Sequence, residues 1–253
     1  MRVVHISDSH GAKFHTKLMI PECDVLIHSG DIGGRTTALE LDEFLRWFEK
    51  QPANKKIFIA GNHDIILDKA HLYSKVDAGV ISKHVAQELI AQADKLLEDH
   101  SDIVYLNNTE YIYSGVKFYG SPITPSFHKA NWAFNADRGE EIKKYWSKIP
   151  GDVDVLITHG PPYGILDSIP ETFKQSPNED IHRGCDDLLA VMKHRLNSLK
   201  LHCFGHIHEG PTGIVTKYIT GSKLITFSNG AVISNDYRQV VIAPPIINIE
   251  FSK

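Results

Sequence analysis

Ile57-Phe58-Ile59-Ala60-Gly61-Asn62-His63-Asp64 is the stretch whose reading decides the fold. An apolar run stops at a glycine and hands over an amide, an imidazole and a carboxylate, the pattern of a buried strand with a functional carboxyl-terminal tip. Such a tip suits metal chemistry. The Asn62 carbonyl oxygen can ligate a divalent ion, His63 can aim a proton donor at whatever the ion holds, and Asp64 can fix the tautomer of that imidazole. Taken alone, Gly-Asn-His-Asp is equally ordinary turn chemistry, so its meaning rests on what surrounds it.

Upstream, two more apolar runs end the same way. Residues 2–7 lead into Asp8-Ser9-His10, and residues 25–28 lead into Ser29-Gly30-Asp31. Between the second and third runs, residues 36–51 carry Thr37 and Glu40 at capping-box spacing and Leu41, Phe44, Leu45 and Phe48 at helical spacing. Strand, helix, strand is a βαβ unit, which implies a parallel sheet with its functional groups at the carboxyl ends of the strands.

Downstream, residues 83–99 read as a second amphipathic helix. Residues 103–106, 111–113 and 117–119 read as a hairpin or meander, with Asn107-Asn108 and Ser114-Gly115 between them. Residues 126–137 form an irregular, aromatic-rich loop and 139–149 a short helix. Residues 154–158 repeat the strand theme and end in His159-Gly160-Pro161-Pro162. The segment 163–184 has few apolar runs and is long for a connection, so it is either mobile or part of a site. A helix at 186–199 precedes a strand at 201–204 that ends in Gly205-His206-Ile207-His208; further strands are predicted at 214–219, 224–227 and 246–251, with a turn at Gly221-Ser222. No repeat or linker interrupts the chain, and residues 1–253 read as one domain.

Composition narrows the class. With 42% hydrophobic and 23% charged residues, the chain can bury a sizeable core and is not a disordered one. A net charge of -4 gives no basic surplus for a long nucleic acid or an anionic membrane, while a small phosphorylated ligand stays allowed. Cys23, Cys185 and Cys203 are odd in number and widely spaced, which suits reduced thiols in an intracellular protein. No apolar run approaches the roughly 20 residues of a membrane span, and the first residues enter a strand rather than a signal-like region, so a cytoplasmic location is expected.

Five strand ends therefore carry metal-competent residues: Asp8 with His10, Asp31, Asn62 with His63, His159, and His206 with His208. Residues i and i+2 of a strand share a face, so the Asp8/His10 and His206/His208 pairs can each converge. Oxygen and imidazole nitrogen without thiolate suit Mn, Fe or Zn rather than a structural Cys-zinc site. With His63 set aside as the proton donor, the seven remaining candidate ligands exceed the needs of one ion and match two ions sharing a carboxylate.

In order along the chain, Asp8-x-His10, Gly30-Asp31, Gly61-Asn62-His63-Asp64, Thr158-His159-Gly160 and Gly205-His206-Ile207-His208 resemble the five-motif signature of the calcineurin-like metallophosphoesterase superfamily. Trp132-Ala133-Phe134-Asn135, Arg138-Gly139-Glu140-Glu141, residues 158–167 and Gly184-Cys185 resemble, within it, the metallophosphoesterase-domain-containing group related to the 239FB protein. The resemblance implies a four-layer αββα fold, two mixed β-sheets packed as a sandwich and flanked by helices. It implies one metal ion on Asp8, His10, Asp31 and His208, and a second on Asp31, Asn62, His159 and His206, with Asp31 bridging. His63 would face the phosphoryl oxygens or leaving group as proton donor, steadied by Asp64.

Such a site implies phosphoester hydrolysis by hydroxide generated at two divalent or trivalent ions, with no serine or cysteine nucleophile. A small, nucleotide-like phosphodiester is the favoured substrate; a phosphomonoester, including a Ser/Thr phosphoprotein, is the alternative, and a non-catalytic binding module on the same fold is the rival from another class. His182, Arg138, Trp132 and Tyr163 are candidate substrate contacts, with Phe127 and Phe134 as further flanking aromatics. His5, His28 and His202 lie inside apolar runs and read as core histidines; His15, His71, His84, His100, His128 and His194 read as surface residues.

Overall fold

The computed structural model describes residues 1–127, 132–174, 176–220, 223–234, 236–240 and 243–251. His128 and the turn expected at Gly221-Ser222 lie outside the described residues. The opening stretch ends strand β3 (Ala53–Ile59), which pairs in parallel with β2 (Cys23–Ser29) on one side and β4 (Ile103–Tyr105) on the other. Parallel β1 (Arg2–Ile6) and antiparallel β13 (Ile246–Asn248) complete a five-stranded sheet in the order β13-β1-β2-β3-β4.

The second sheet contains β5 (Thr109–Tyr113), β6 (Val116–Ser121), β9 (Val155–Thr158), β10 (Leu201–Phe204), β11 (Gly213–Thr220) and β12 (Lys223–Asn229). Its order is β11-β12-β10-β9-β6-β5, parallel at the centre and antiparallel at both margins. Short strand β8 (Asn135–Ala136), inside the stretch read as an irregular loop, pairs with β7 (Thr124–Pro125) just before that stretch.

Strand alternation builds the layers. Val25, Ile27, Ile57 and Ile59 join Phe118, Val155, Ile157, Leu201 and Cys203 in the core between the sheets. Leu26 and Phe58 point the other way, to Leu41, Phe44, Leu45 and Phe48 of α2 (Ala38–Glu49). On the far side, Leu156 and Phe204 meet Ile142 and Trp146 of α5 (Glu140–Trp146) and Met192 of α6 (Asp186–His194). The fold is thus a sandwich of two mixed sheets with helices outside. Each fully buried large side chain contributes about 1.5–3 kcal/mol by apolar transfer.

The capping box forms as its spacing predicts: Thr37 accepts from the Glu40 amide, and Glu40 accepts from the Thr37 amide at 2.9 Å. The 103–113 region differs from a continuous meander. β5 and β6 form the hairpin, but β4 belongs to the other sheet, and the chain crosses between them at Asn107-Asn108, with Asn108 at φ 55°. Helices α1 (Ala12–His15) and α3 (Lys69–Asp77) carry weak apolar periodicity and gave no clear signal in the sequence, whereas α4 (Lys83–Asp99) matches its predicted span. Two histidines read as surface residues are buried. His15 stacks on Trp47 at 4.6 Å and bonds Ser9 Oγ, and His71 is enclosed in the first turn of α3. The three cysteines are free and buried, and no described helix is long and apolar enough to cross a membrane.

Candidate active site

The tips of β1, β2, β3, β9 and β10 meet at one end of the sandwich. They converge by turning, not by strand alternation as the i, i+2 rule suggested. β1 ends at Ile6, and Asp8, His10, Asp31 and His206 all have left-handed backbone, with φ 54°, 44°, 57° and 70°. Non-glycine residues there are strained, and such strain collects at functional sites. Two glycines permit the close approach. A Cβ on Gly61 would collide with Asp31 and His159, and one on Gly205 would collide with the Asp8 carboxylate and Ser7.

Three imidazoles have their Nδ1 tied to backbone carbonyls, which can only accept, so Nδ1 carries the proton and Nε2 faces inward. His159 donates to Ser29 O at 2.8 Å, His10 to Gly33 O at 3.2 Å and His63 to Gly34 O at 2.5 Å. His159 Nε2 then lies 3.3 Å from Asp31 Oδ2 and 3.0 Å from Asn62 Oδ1. His10 Nε2 lies 3.9 Å from the same Asp31 oxygen and 3.4 Å from His208 Nε2, which is 2.9 Å from Asp8 Oδ1. The ligand atoms of Asp8, His10 and His208 fall within 4.8 Å of one another, as do those of Asp31, His159 and His206 and those of His10, Asp31 and His63. Asp31 belongs to two of these three groups, one of which shares His10 with the third.

A second layer holds these tips. Ser9, between Asp8 and His10, bonds His15 and His28 at 2.8 Å each, and His5 bridges Ser228 and Ser29 at 2.8 and 2.9 Å. The core reading of His5, His28 and His202 agrees with their burial and hydrogen bonds.

Two buried carboxylates, Asp8 and Asp31, have imidazoles as their described ion-pair partners. Burial would raise the Asp31 carboxyl, yet His159, His63 and His10 hold it well below the usual range. Burial would lower His159, but Asp31 beside it pushes it up to about 9. Burial dominates at His10 and His206, which fall to about 4 and 3. Concentrated negative charge, oxygen and imidazole donors and inward Nε2 atoms fit hard to borderline metal cations. The residues present could therefore hold metal.

Asp64 does not steady His63. Its buried carboxylate accepts from the amides of Asp31 (2.9 Å), Ile32 (3.0 Å) and Gly61 (2.7 Å) and from the Thr36 hydroxyl, so it ties the β2 and β3 tips together. Burial and nearby Asp31 push its carboxyl up to about 7, while both oxygens meet donors only, which favours the anion. His63 takes its orientation from Gly34 O and from the face of Trp132, 4.3 Å between ring centroids. Its Nε2 is 4.0 Å from Asp31 Oδ2, and its amide donates to Asp31 Oδ1 at 2.8 Å.

A cleft of about 640 Å³ opens over this cluster. The chain belongs to the calcineurin-like phosphoesterase family. The model of that family, described as calcineurin-like phosphoesterase, matches residues 1–210, a span containing all five strand tips. Metallophosphoesterase domain-containing protein 1 of Homo sapiens and that of Mus musculus are each 34% identical to the chain over 251 residues, covering 97% of it and 70% of their own length. The solved structure of TT1561 of Thermus thermophilus shares the fold, with a TM-score of 0.54 at 13% identity over 91% of this chain and 90% of that one. Membership implies metal-dependent phosphoester hydrolysis.

Of the candidate substrate contacts, Trp132 and Arg138 line the cleft of this family member. Tyr163 and His182 are not among its described lining residues. Tyr163 donates to Asp180 at 2.7 Å and His182 Nδ1 contacts buried Asp167 at 2.6 Å, so both pin the 163–184 segment. That segment brings Ile169, Phe173 and Arg183 to the cleft, making it part of the site wall. Sequence reasoning missed Arg183, Glu209 and Tyr237. Tyr237 sits in a polar turn far from every motif and carries no chemical signal of its own.

Proposed function

We propose that the chain is a phosphodiesterase that hydrolyses a small, nucleotide-like diester with two metal ions, of the Mn, Fe or Zn kind. The lining of the cleft carries this reading. Rings flank the cluster on three sides: Trp132 on His63, Phe127 on His206 at 4.9 Å and Tyr237 on His10 at 4.8 Å. Among the described lining residues both guanidinium groups are engaged, Arg138 with the carbonyls of Gly184 and Arg183, and Arg183 with Glu179 at 2.6 Å, while Arg35 is stacked over the Trp132 ring at 5.0 Å. A monoester brings a second negative charge that calls for an unengaged fork of donors. A diester brings one charge and two organic arms, which flat rings accommodate.

In this reading Asp8, His10, Asp31 and His208 hold one ion, and Asp31, Asn62, His159 and His206 hold the other. When bound, the ions supply Lewis-acid polarisation of the phosphoryl group and a lowered pKa for water. Asp64 keeps Asp31 and Gly61 in register through their amides. His63, with Nδ1–H fixed on Gly34 O, presents Nε2 to the site; protonated there, it gives that proton to the oxygen leaving phosphorus as the ester bond breaks. The partner is a small phosphoester, not a membrane or a long nucleic acid, and three buried thiols suit the reducing cytoplasm.

Comparing bis-p-nitrophenyl phosphate with p-nitrophenyl phosphate in the presence of Mn²⁺ tests the proposal. Higher kcat/KM on the diester supports it. A strong preference for the monoester reassigns the chain to phosphomonoesterases, and no turnover with Mn²⁺, Zn²⁺ or Fe²⁺ favours a binding module.

A further inference from the structure

Tyr237 lies beyond residue 210, where the match to the family model ends, yet its ring lines the cleft over the ligand cluster. It packs edge-on against His10 at 4.8 Å and at a tilt against His208 at 5.5 Å. After both contacts, 46% of the residue is still exposed. Its backbone is left-handed, with φ 56°, a conformation that bulky side chains rarely adopt.

The local hydrogen bonds hold that conformation. The Tyr237 amide donates to Ser234 O at 2.9 Å, the Ser234 hydroxyl donates to Asp236 Oδ1 at 2.6 Å, and Asp236 Oδ1 accepts from the Arg238 amide at 3.1 Å. A short polar turn is thus bent to place an aromatic ring beside two candidate metal ligands while leaving much of it open to the cleft. Strain of this kind persists where surrounding structure over-determines it, and the observed outlier points to function.

We infer that Tyr237 is a specificity-determining residue that stacks on an aromatic arm of the phosphoester substrate. The inference deepens the proposed function, because it says which wall of the cleft reads the organic group. The ring abuts His10 and His208, and its exposed part meets a planar arm such as a nucleobase or a phenyl group. An aliphatic arm gains little there, since the stacking increment belongs to ring pairs.

The test uses Mn²⁺-loaded protein and two ligands that are not hydrolysed, phenylphosphonate and methylphosphonate, with dissociation constants read by calorimetry. It therefore stands whether the enzyme turns over diesters or monoesters, so failure of the diesterase assignment and failure of this inference are distinguishable. Tyr237→Leu is expected to weaken phenylphosphonate about tenfold and methylphosphonate less than about twofold, and Tyr237→Phe to keep both within about twofold of the parent. Bound Mn²⁺ is expected to be unchanged in both variants. Equal weakening of the two ligands, no weakening of either, or loss of Mn²⁺ in Tyr237→Leu would overturn the inference, the last by making the ring a support for His10 and His208.

Discussion

Replacing His202 with glutamine isolates a proton-linked part of the stability. Thr158 Oγ1 donates its single proton to Gly160 O at 2.7 Å, so its 2.7 Å contact with His202 Nε2 has the imidazole as donor. Nδ1 is then the unprotonated nitrogen, and it is buried with no hydrogen-bond partner among the described residues. Protonation would bury a charged N–H with nothing to accept it. Burial, reinforced by His5, accordingly pulls the imidazole from 6.5 down to about 3. Between those values the unfolded chain binds more protons than the folded one. Stability is therefore full above the unfolded value and falls as the pH drops through 6.5 towards 3. At pH 5, about 1.5 units below the unfolded value, the loss is about 2 kcal/mol, a large share of the roughly 5–15 kcal/mol of a typical domain. Glutamine keeps an N–H for Thr158 and does not titrate. Urea unfolding in chelator-containing buffer at pH 7 and pH 5 is expected to give a parent loss larger than that of His202→Gln by about 2 kcal/mol. Equal losses in the two proteins would refute the assignment of a buried, neutral His202.

Three further outcomes follow from the site. His63→Ala should retain bound metal by elemental analysis and lose about 10²-fold in kcat, because it removes the proton donor and no proposed ligand; unchanged turnover would contradict that role. Asp31→Asn should weaken binding at both ligand groups, since its Oδ2 lies 3.3 Å from His159 Nε2 and 3.9 Å from His10 Nε2; a variant that still holds two ions would exclude a bridge. Gly205→Ala should lower the unfolding free energy by about 1–3 kcal/mol through overpacking and reduce metal content, because the new Cβ enters the Asp8 carboxylate; full metal content and unchanged urea midpoint would contradict the close approach.

The layers and the ligand set were legible because both are periodic or local. Apolar runs broken by Asp, Asn or His marked the strand tips, and the Thr37/Glu40 spacing marked the start of α2. Sheet membership was not legible at β4, whose three residues pair with β3 only because the chain turns away at Asn107-Asn108. Burial of His15 and His71 was hidden for a related reason. A histidine's side chain reads as polar until the neighbour that covers it is known, and Trp47 covers His15 from another helix. The left-handed backbone at Asp8, His10, Asp31 and His206 was equally silent, since the ligand types are visible in sequence and the turns that aim them are not.

Asp64 shows where adjacency in sequence misleads. Standing next to His63, it reads as the natural partner for the imidazole, but consecutive side chains leaving a strand end diverge. Asp64 turns into the protein, where three amides and a hydroxyl from two loops converge on its oxygens. His63 turns outward, and a carbonyl from the β2 loop together with an aromatic face from the 132–136 segment sets its angle. Proton delivery and ligand placement are thus held by different contacts. The Asp31 amide and the Gly61 amide share one Asp64 oxygen, so the tip of β2 cannot shift without disturbing the tip of β3, and the His63 ring, bonded to Gly34 O, takes no part in that junction.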